Sequence, residues 1–113
     1  MQNYVDKFHQ NYINATSAAT RTGDWVDATN VGSVTFHASI ATNVDSAGTF
    51  AVEIYNEASE AAVTYNSQTV TAGVVFTHVW EISPVVSRKY RLKFTRTAGT
   101  SDAILARYVT RKG

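Results

Sequence analysis

Ser87-Arg88-Lys89-Tyr90-Arg91-Leu92-Lys93-Phe94-Thr95-Arg96 decides how the rest of the chain is read. Tyr90, Leu92 and Phe94 share one parity, and Lys89, Arg91 and Lys93 share the other. Side chains alternate between the two faces of a strand. A strand here therefore buries an aromatic and aliphatic face and turns a row of cations outward. A helix, repeating every ~3.6 residues, mixes the two sets.

The same two-residue period recurs on both sides of this stretch. Val34, Phe36, Ala38 and Ile40 alternate with Thr35, His37 and Ser39; Phe50, Val52 and Ile54 alternate with Ala51, Glu53 and Tyr55. Phe76, His78, Trp80 and Ile82 oppose Thr77, Val79 and Glu81, and Ile104, Ala106 and Tyr108 oppose Leu105, Arg107 and Val109. Val63-Thr64-Tyr65 and Thr69-Val70-Thr71 predict one more strand, broken near Asn66-Ser67. Turn chemistry separates the runs: Gly23-Asp24, Asn43 to Gly48, Glu57 to Glu60, Ala72-Gly73 and Ala98 to Asp102. The single proline, Pro84, marks a bend or a sheet edge. Seven or eight short strands with turns every ~8–12 residues predict an all-β antiparallel sandwich, jelly-roll or immunoglobulin-like. With no cysteine pair, and with Trp25 at a strand start, the jelly roll is the better match.

Composition narrows the function classes. A chain of 113 residues makes one domain able to bury its own core. The absence of cysteine excludes disulfides, thiolate metal sites and thiol nucleophiles. No apolar run nears the ~20 residues of a membrane helix, and Met1-Gln2-Asn3-Tyr4 does not open like a signal peptide. The net charge of +1 hides a polarity: residues 1–87 carry a net −6 and residues 88–113 a net +7. Such a dipole suits head-to-tail contacts or docking on a charged surface.

No catalytic constellation stands out. His9, His37 and His78 are scattered and lack metal-ligand spacing, and no Gly-x-Ser-x-Gly elbow occurs. Asp24 and Asp27, like Glu57 and Glu60, sit in turn-like stretches where capping and solubility account for them. The expectation is a non-enzyme without metal or cofactor. Trp25 and Tyr55 are the candidates for exposed, sugar-stacking rings; Trp80, Tyr90 and Tyr108 belong with the core by parity. The row Lys89, Arg91 and Lys93 has the spacing to meet phosphates. The modest basicity and the lack of a phosphate motif weigh against nucleic acid, and cross-strand pairing with Glu53 or Glu81 is the simpler account.

Residues 1–21 differ from the rest. Val5, Phe8, Tyr12 and Ile13 recur at helical spacing ahead of a small, polar stretch from Asn14 to Thr20. One reading is an N-terminal strand or frayed end. The other is an arm and linker, divided from a sandwich at 22–113, whose Tyr4, Val5, Phe8, Tyr12 and Ile13 anchor on a neighbouring subunit.

Trp25-Val26-Asp27, Val34-x-Phe36, the run from Asp45-Ser46-Ala47-Gly48 to Ile54, and Arg88-Lys89-Tyr90-Arg91 together resemble small β-sandwich virion proteins of tailed bacteriophages. The resemblance covers about residues 22–96. It implies a capsid cement or decoration protein, made in the host cytoplasm and bound to the outside of the capsid. Its partners would be the major capsid protein and further copies of itself, as dimers or trimers. The N-terminal anchors and Arg88, Lys89, Arg91 and Lys93 would make the contacts. A carbohydrate- or receptor-binding module of a tail or fibre, using Trp25 and Tyr55, is the alternative.

Overall fold

The computed structural model describes residues 4–8, 21–99 and 104–111, with 4–8 and 21 described by backbone course alone. Nine strands occur in this order: β1 (Tyr4–Phe8), β2 (Arg21–Thr22), β3 (Val26–Asp27), β4 (Ser33–Ile40), β5 (Ala47–Asn56), β6 (Ala61–Val70), β7 (Phe76–Ile82), β8 (Lys89–Ala98) and β9 (Leu105–Arg111). No helix is found among the described residues. One sheet has the order β1-β9-β4-β7; the other has β2-β8-β5-β6, with β3 sharing the β8 edge with β2. Every pairing is antiparallel. Among strands consecutive in sequence, only β5 and β6 pair as a hairpin, and from β6 onward each successive strand changes sheet. This is an antiparallel sandwich, as the alternation predicts, and its strand order is that of a jelly roll.

The inward parity is the one expected. Val34, Phe36, Ile40, Phe50, Val52, Tyr90, Leu92 and Phe94 are completely buried. Phe50 is the hub: its ring centre lies 4.5 Å from Phe94, 5.0 Å from Phe76 and 6.1 Å from Trp80. Burying each such side chain contributes roughly 1.5–3 kcal/mol. Tyr108 is half-buried against Phe36 at 6.2 Å. Burial raises its hydroxyl above the ordinary value, and the charge of Asp24 adds to the shift.

Two turns at one end are tied together. Asn43 Nδ2 donates to the carbonyls of Ser46 (3.0 Å), Thr71 (3.0 Å) and Val74 (2.8 Å), while its Oδ1 accepts from Ser46 N at 2.8 Å. Val44, Val74 and Val75 stand exposed on these turns. At the other end the β7–β8 loop is held from inside. The Tyr90 hydroxyl accepts from Val86 N at 2.7 Å and Ser87 N at 2.9 Å. Ser87 Oγ also donates to the Tyr55 carbonyl at 3.2 Å.

One reading of the sequence changes, and for residues 4–8 one of two alternatives, the N-terminal strand, is the one observed. β6 is a single ten-residue strand, not two pieces. Its partners jump from Val52↔Asn66 to Glu53↔Thr64, so Tyr65 is an extra residue in a bulge, which breaks the period that the eye follows. Tyr4–Phe8 forms an edge strand paired along its whole length with β9, from Tyr4↔Arg111 to Phe8↔Arg107. For these five residues the helical spacing is overridden by a ladder with a partner a hundred positions away. Tyr4, Val5 and Phe8 thus lie on β1, and Tyr12 and Ile13 lie outside the described residues.

Candidate functional site

The row of cations lies on the outer face of the β3-β8-β5 sheet, and the register decides its neighbours. Val26 pairs with Tyr90, which sets Trp25 beside Arg91; Glu53 pairs with Arg91 from the other side. The Arg91 guanidinium carbon sits 4.2 Å from the Trp25 ring centre. Its Nε donates to Glu53 Oε1 at 2.8 Å, and Lys93 Nζ stands 4.0 Å from Glu53 Oε2. Glu53, on the outward parity, is only 7% exposed because these groups cover it. A carboxylate so shielded from water requires a cation to offset its lost hydration.

The row continues toward the loops. Trp25 meets Tyr55 edge-on, with centres 5.8 Å apart and planes at 85°. Lys89 Nζ lies 5.2 Å from the Tyr55 ring centre. At the end of the strand Arg88 grips Glu57 with two bonds, Nε to Oε2 at 3.1 Å and Nη2 to Oε1 at 2.9 Å. That hydrogen bond holds the Glu57 carboxyl below its ordinary range and raises the Arg88 guanidinium further. Asp27 is also held low, first by the Thr29 backbone N–H, which donates to Oδ1 at 2.9 Å. Below this end opens a broad hollow of about 720 Å³ lined by Asn30, Val31, Asn56, Glu57, Val86 and Arg88 among others.

Arg88, Lys89, Arg91 and Lys93 are therefore brought together with Trp25 and Tyr55, two groups that the sequence assigned to different readings. Both rings are half-buried, and Arg91 occupies one face of Trp25. Glu53 takes the cross-strand role expected of it. Glu57, read as a turn residue, is also an ion-pair partner, a role that its distance of 31 positions from Arg88 hid. His37 is exposed beside a shallow hollow of about 380 Å³ over β4, β7 and β9, while His78 is half-buried with its ring edge-on to Trp80. Among the described residues no three His, Cys, Asp or Glu side chains gather as a metal ion would need.

Chemically, this face sets Lys89, Arg91 and Lys93 against Glu53 and Asp27, braced by aromatic rings. The class is thus an antiparallel jelly-roll sandwich with a charged, aromatic outer face. No family model matches the sequence, and no curated protein matches it. Solved structures do resemble the fold. The SPBc2 prophage-derived protein YomS superposes with a TM-score of 0.64 at 6% identity, over 98% of this chain and 95% of that one. The PBSX exported protein XepA gives 0.66 at 16% identity over 96% of this chain, which spans only 37% of the XepA chain. A non-crystalline cellulose specific carbohydrate-binding module, CBM28, gives 0.52 at 9% identity, over 97% of this chain and 73% of that one. At such identities the likeness establishes the fold alone.

Proposed function

We propose that the chain is a structural protein of a phage particle, a decoration or cement protein that binds the outer surface of the assembled capsid. The observation that carries this reading is the pre-set row Lys89, Arg91 and Lys93, locked by Trp25, Tyr55 and Glu53 on an open sheet face. Locked side chains lose little freedom on docking, and cations on one face steer the approach to an acidic partner surface. The likeness of the fold to prophage-derived proteins supports the setting. The mechanism is mass action: a protein that binds only the assembled shell stabilises that shell by about 2.7 kcal/mol per site at a hundredfold excess over Kd. The partner is the major capsid protein, and copies of the chain associate at symmetry axes as dimers or trimers. Catalysis and cofactors have no part in this scheme.

Immunogold electron microscopy of particles made by a phage that carries this gene tests the reading. Label over the head is the expected result. Label confined to the tail, or no label on particles, overturns it.

A carbohydrate-binding module of a tail or fibre is the second reading, favoured by the contact between Trp25 and Tyr55 on an open face. The rings meet at 85°, and Arg91 already covers one face of Trp25, so a flat sugar ring finds no continuous platform there. A glycan array on which binding disappears in Trp25→Ala and Tyr55→Ala would restore it.

A further inference from the structure

Edge strand β6 carries six consecutive neutral polar side chains: Thr64, Tyr65, Asn66, Ser67, Gln68 and Thr69. β6 ends one sheet as β7 ends the other. Asn66 and Gln68 pair with Val52 and Phe50, two core residues, so they project toward the inside of the sandwich. The opposing sheet does not cover them there. A cleft of about 220 Å³ lies between the two edges, lined by Tyr65, Asn66 and Gln68 from β6 and His78, Trp80 and Glu81 from β7.

Asn66 and Glu81 stand exposed at this cleft, and Gln68 and His78 are half-buried. Among the described residues the side chains of Asn66, Gln68, His78 and Glu81 have no hydrogen-bond partner. Trp80 is only 5% exposed, and its Nε1 is buried without an acceptor. Proteins rarely leave a buried donor unmatched. Each amide offers both a donor and an acceptor, as does a neutral imidazole, and a hydroxyl of a ligand answers both. The lining holds one carboxylate and no Lys or Arg, so it does not suit a phosphate or another anion. Tyr65, 47% exposed, adds ring surface for the apolar face of a ligand. The volume falls below the ~300–1,000 Å³ of sites that enclose drug-sized ligands, which suits one ring of a chain that continues into solvent.

We propose that the β6–β7 cleft binds a neutral, hydroxyl-rich ligand, a single sugar ring within a glycan chain, through Asn66, Gln68 and Glu81, with the Trp80 ring as its floor. This site lies at the opposite edge of the sheet from Trp25 and does not depend on the capsid reading. The failure of one is therefore distinct from the failure of the other.

The test is a titration of the ¹⁵N-labelled protein, followed by NMR, with maltotriose, cellotriose or tri-N-acetylchitotriose, and with inorganic phosphate as the anionic control. The chain has two tryptophans, so Trp25→Phe identifies the Trp80 indole signal by elimination. The expected result is a saturable shift of that indole and of the Asn66 and Gln68 side-chain amides with at least one trisaccharide and none with phosphate. Asn66→Ala and Gln68→Ala should each weaken binding about tenfold, the loss of one well-made hydrogen bond, while Trp25→Phe leaves it intact. Both alanine variants remove edge side chains outside the core, and unchanged melting confirms that they fold. No shift with any of the three sugars, equal shifts with phosphate, or binding that survives both alanine variants overturns the proposal.

Discussion

The Arg91 guanidinium lies 4.2 Å over the centre of the Trp25 ring. The contact joins a strand start near the beginning of the sandwich to the basic strand near its end, across 66 positions of sequence. It leaves the Arg91 Nε free to reach Glu53, so one side chain serves a ring and a carboxylate at once.

Arg91→Ala should cost about 1–3 kcal/mol, because it strands a shielded carboxylate with only Lys93 at 4.0 Å. Arg91→Lys keeps the charge but loses the planar stack and should fall between the two. Urea unfolding of the three proteins gives the ranking. An Arg91→Ala variant as stable as the parent would mean that Glu53 does not depend on its pairing.

Tyr90→Phe removes a single oxygen from the core but leaves two backbone donors, Val86 N and Ser87 N, without an acceptor. A loss of about 1–3 kcal/mol is expected. Hydrogen exchange at Val86 and Ser87 should quicken more than at β4 amides. Uniform quickening across the protein would show a general loss of packing instead.

Acid should weaken the fold through Asp27 and Glu57. Their carboxyls are held below the ordinary range in the folded chain. Their contribution is thus complete above the unfolded values near ~4 and is lost as pH falls through the folded ones. Both groups are at the surface, so the effect is small. Melting temperature against pH should decline less steeply below about pH 4.5 in Glu57→Gln than in the parent. Tyr108 acts in the opposite direction: its raised hydroxyl pKa adds stability that is lost as pH climbs above ~10.

Gly73 and Gly99 both have positive φ, 79° and 83°, yet should respond differently to alanine. Nothing lies within 4 Å of a Cβ on Gly73, so only backbone strain of about 1–2 kcal/mol applies. A Cβ on Gly99 would strike the Asp45 carbonyl, and the turn would have to move. Gly99→Ala should melt clearly below Gly73→Ala; the reverse order would place the strain elsewhere.

What could be foreseen from sequence followed from local period. β4, β5, β7, β8 and β9 declare themselves because each buries one parity and wets the other. β6 does not, since its inward side faces a gap and its bulge at Tyr65 shifts the phase. The site was half legible. The cations of β8 are contiguous, but Trp25 reaches Arg91 only through the pairing of Val26 with Tyr90. No local pattern encodes that register. The β6–β7 cleft leaves one trace in the sequence, the neutral polar run from Thr64 to Thr69, which by period alone reads as a break in a strand.

Asn43 gathers three carbonyls from two separate turns around one amide. The tip of the sandwich consequently behaves as one solid piece. Val44, Val74 and Val75, 71%, 55% and 60% exposed, ride on that piece. Swapping Asn43 for alanine would leave the two turns as loosely hinged flaps, and a protease would find the seam.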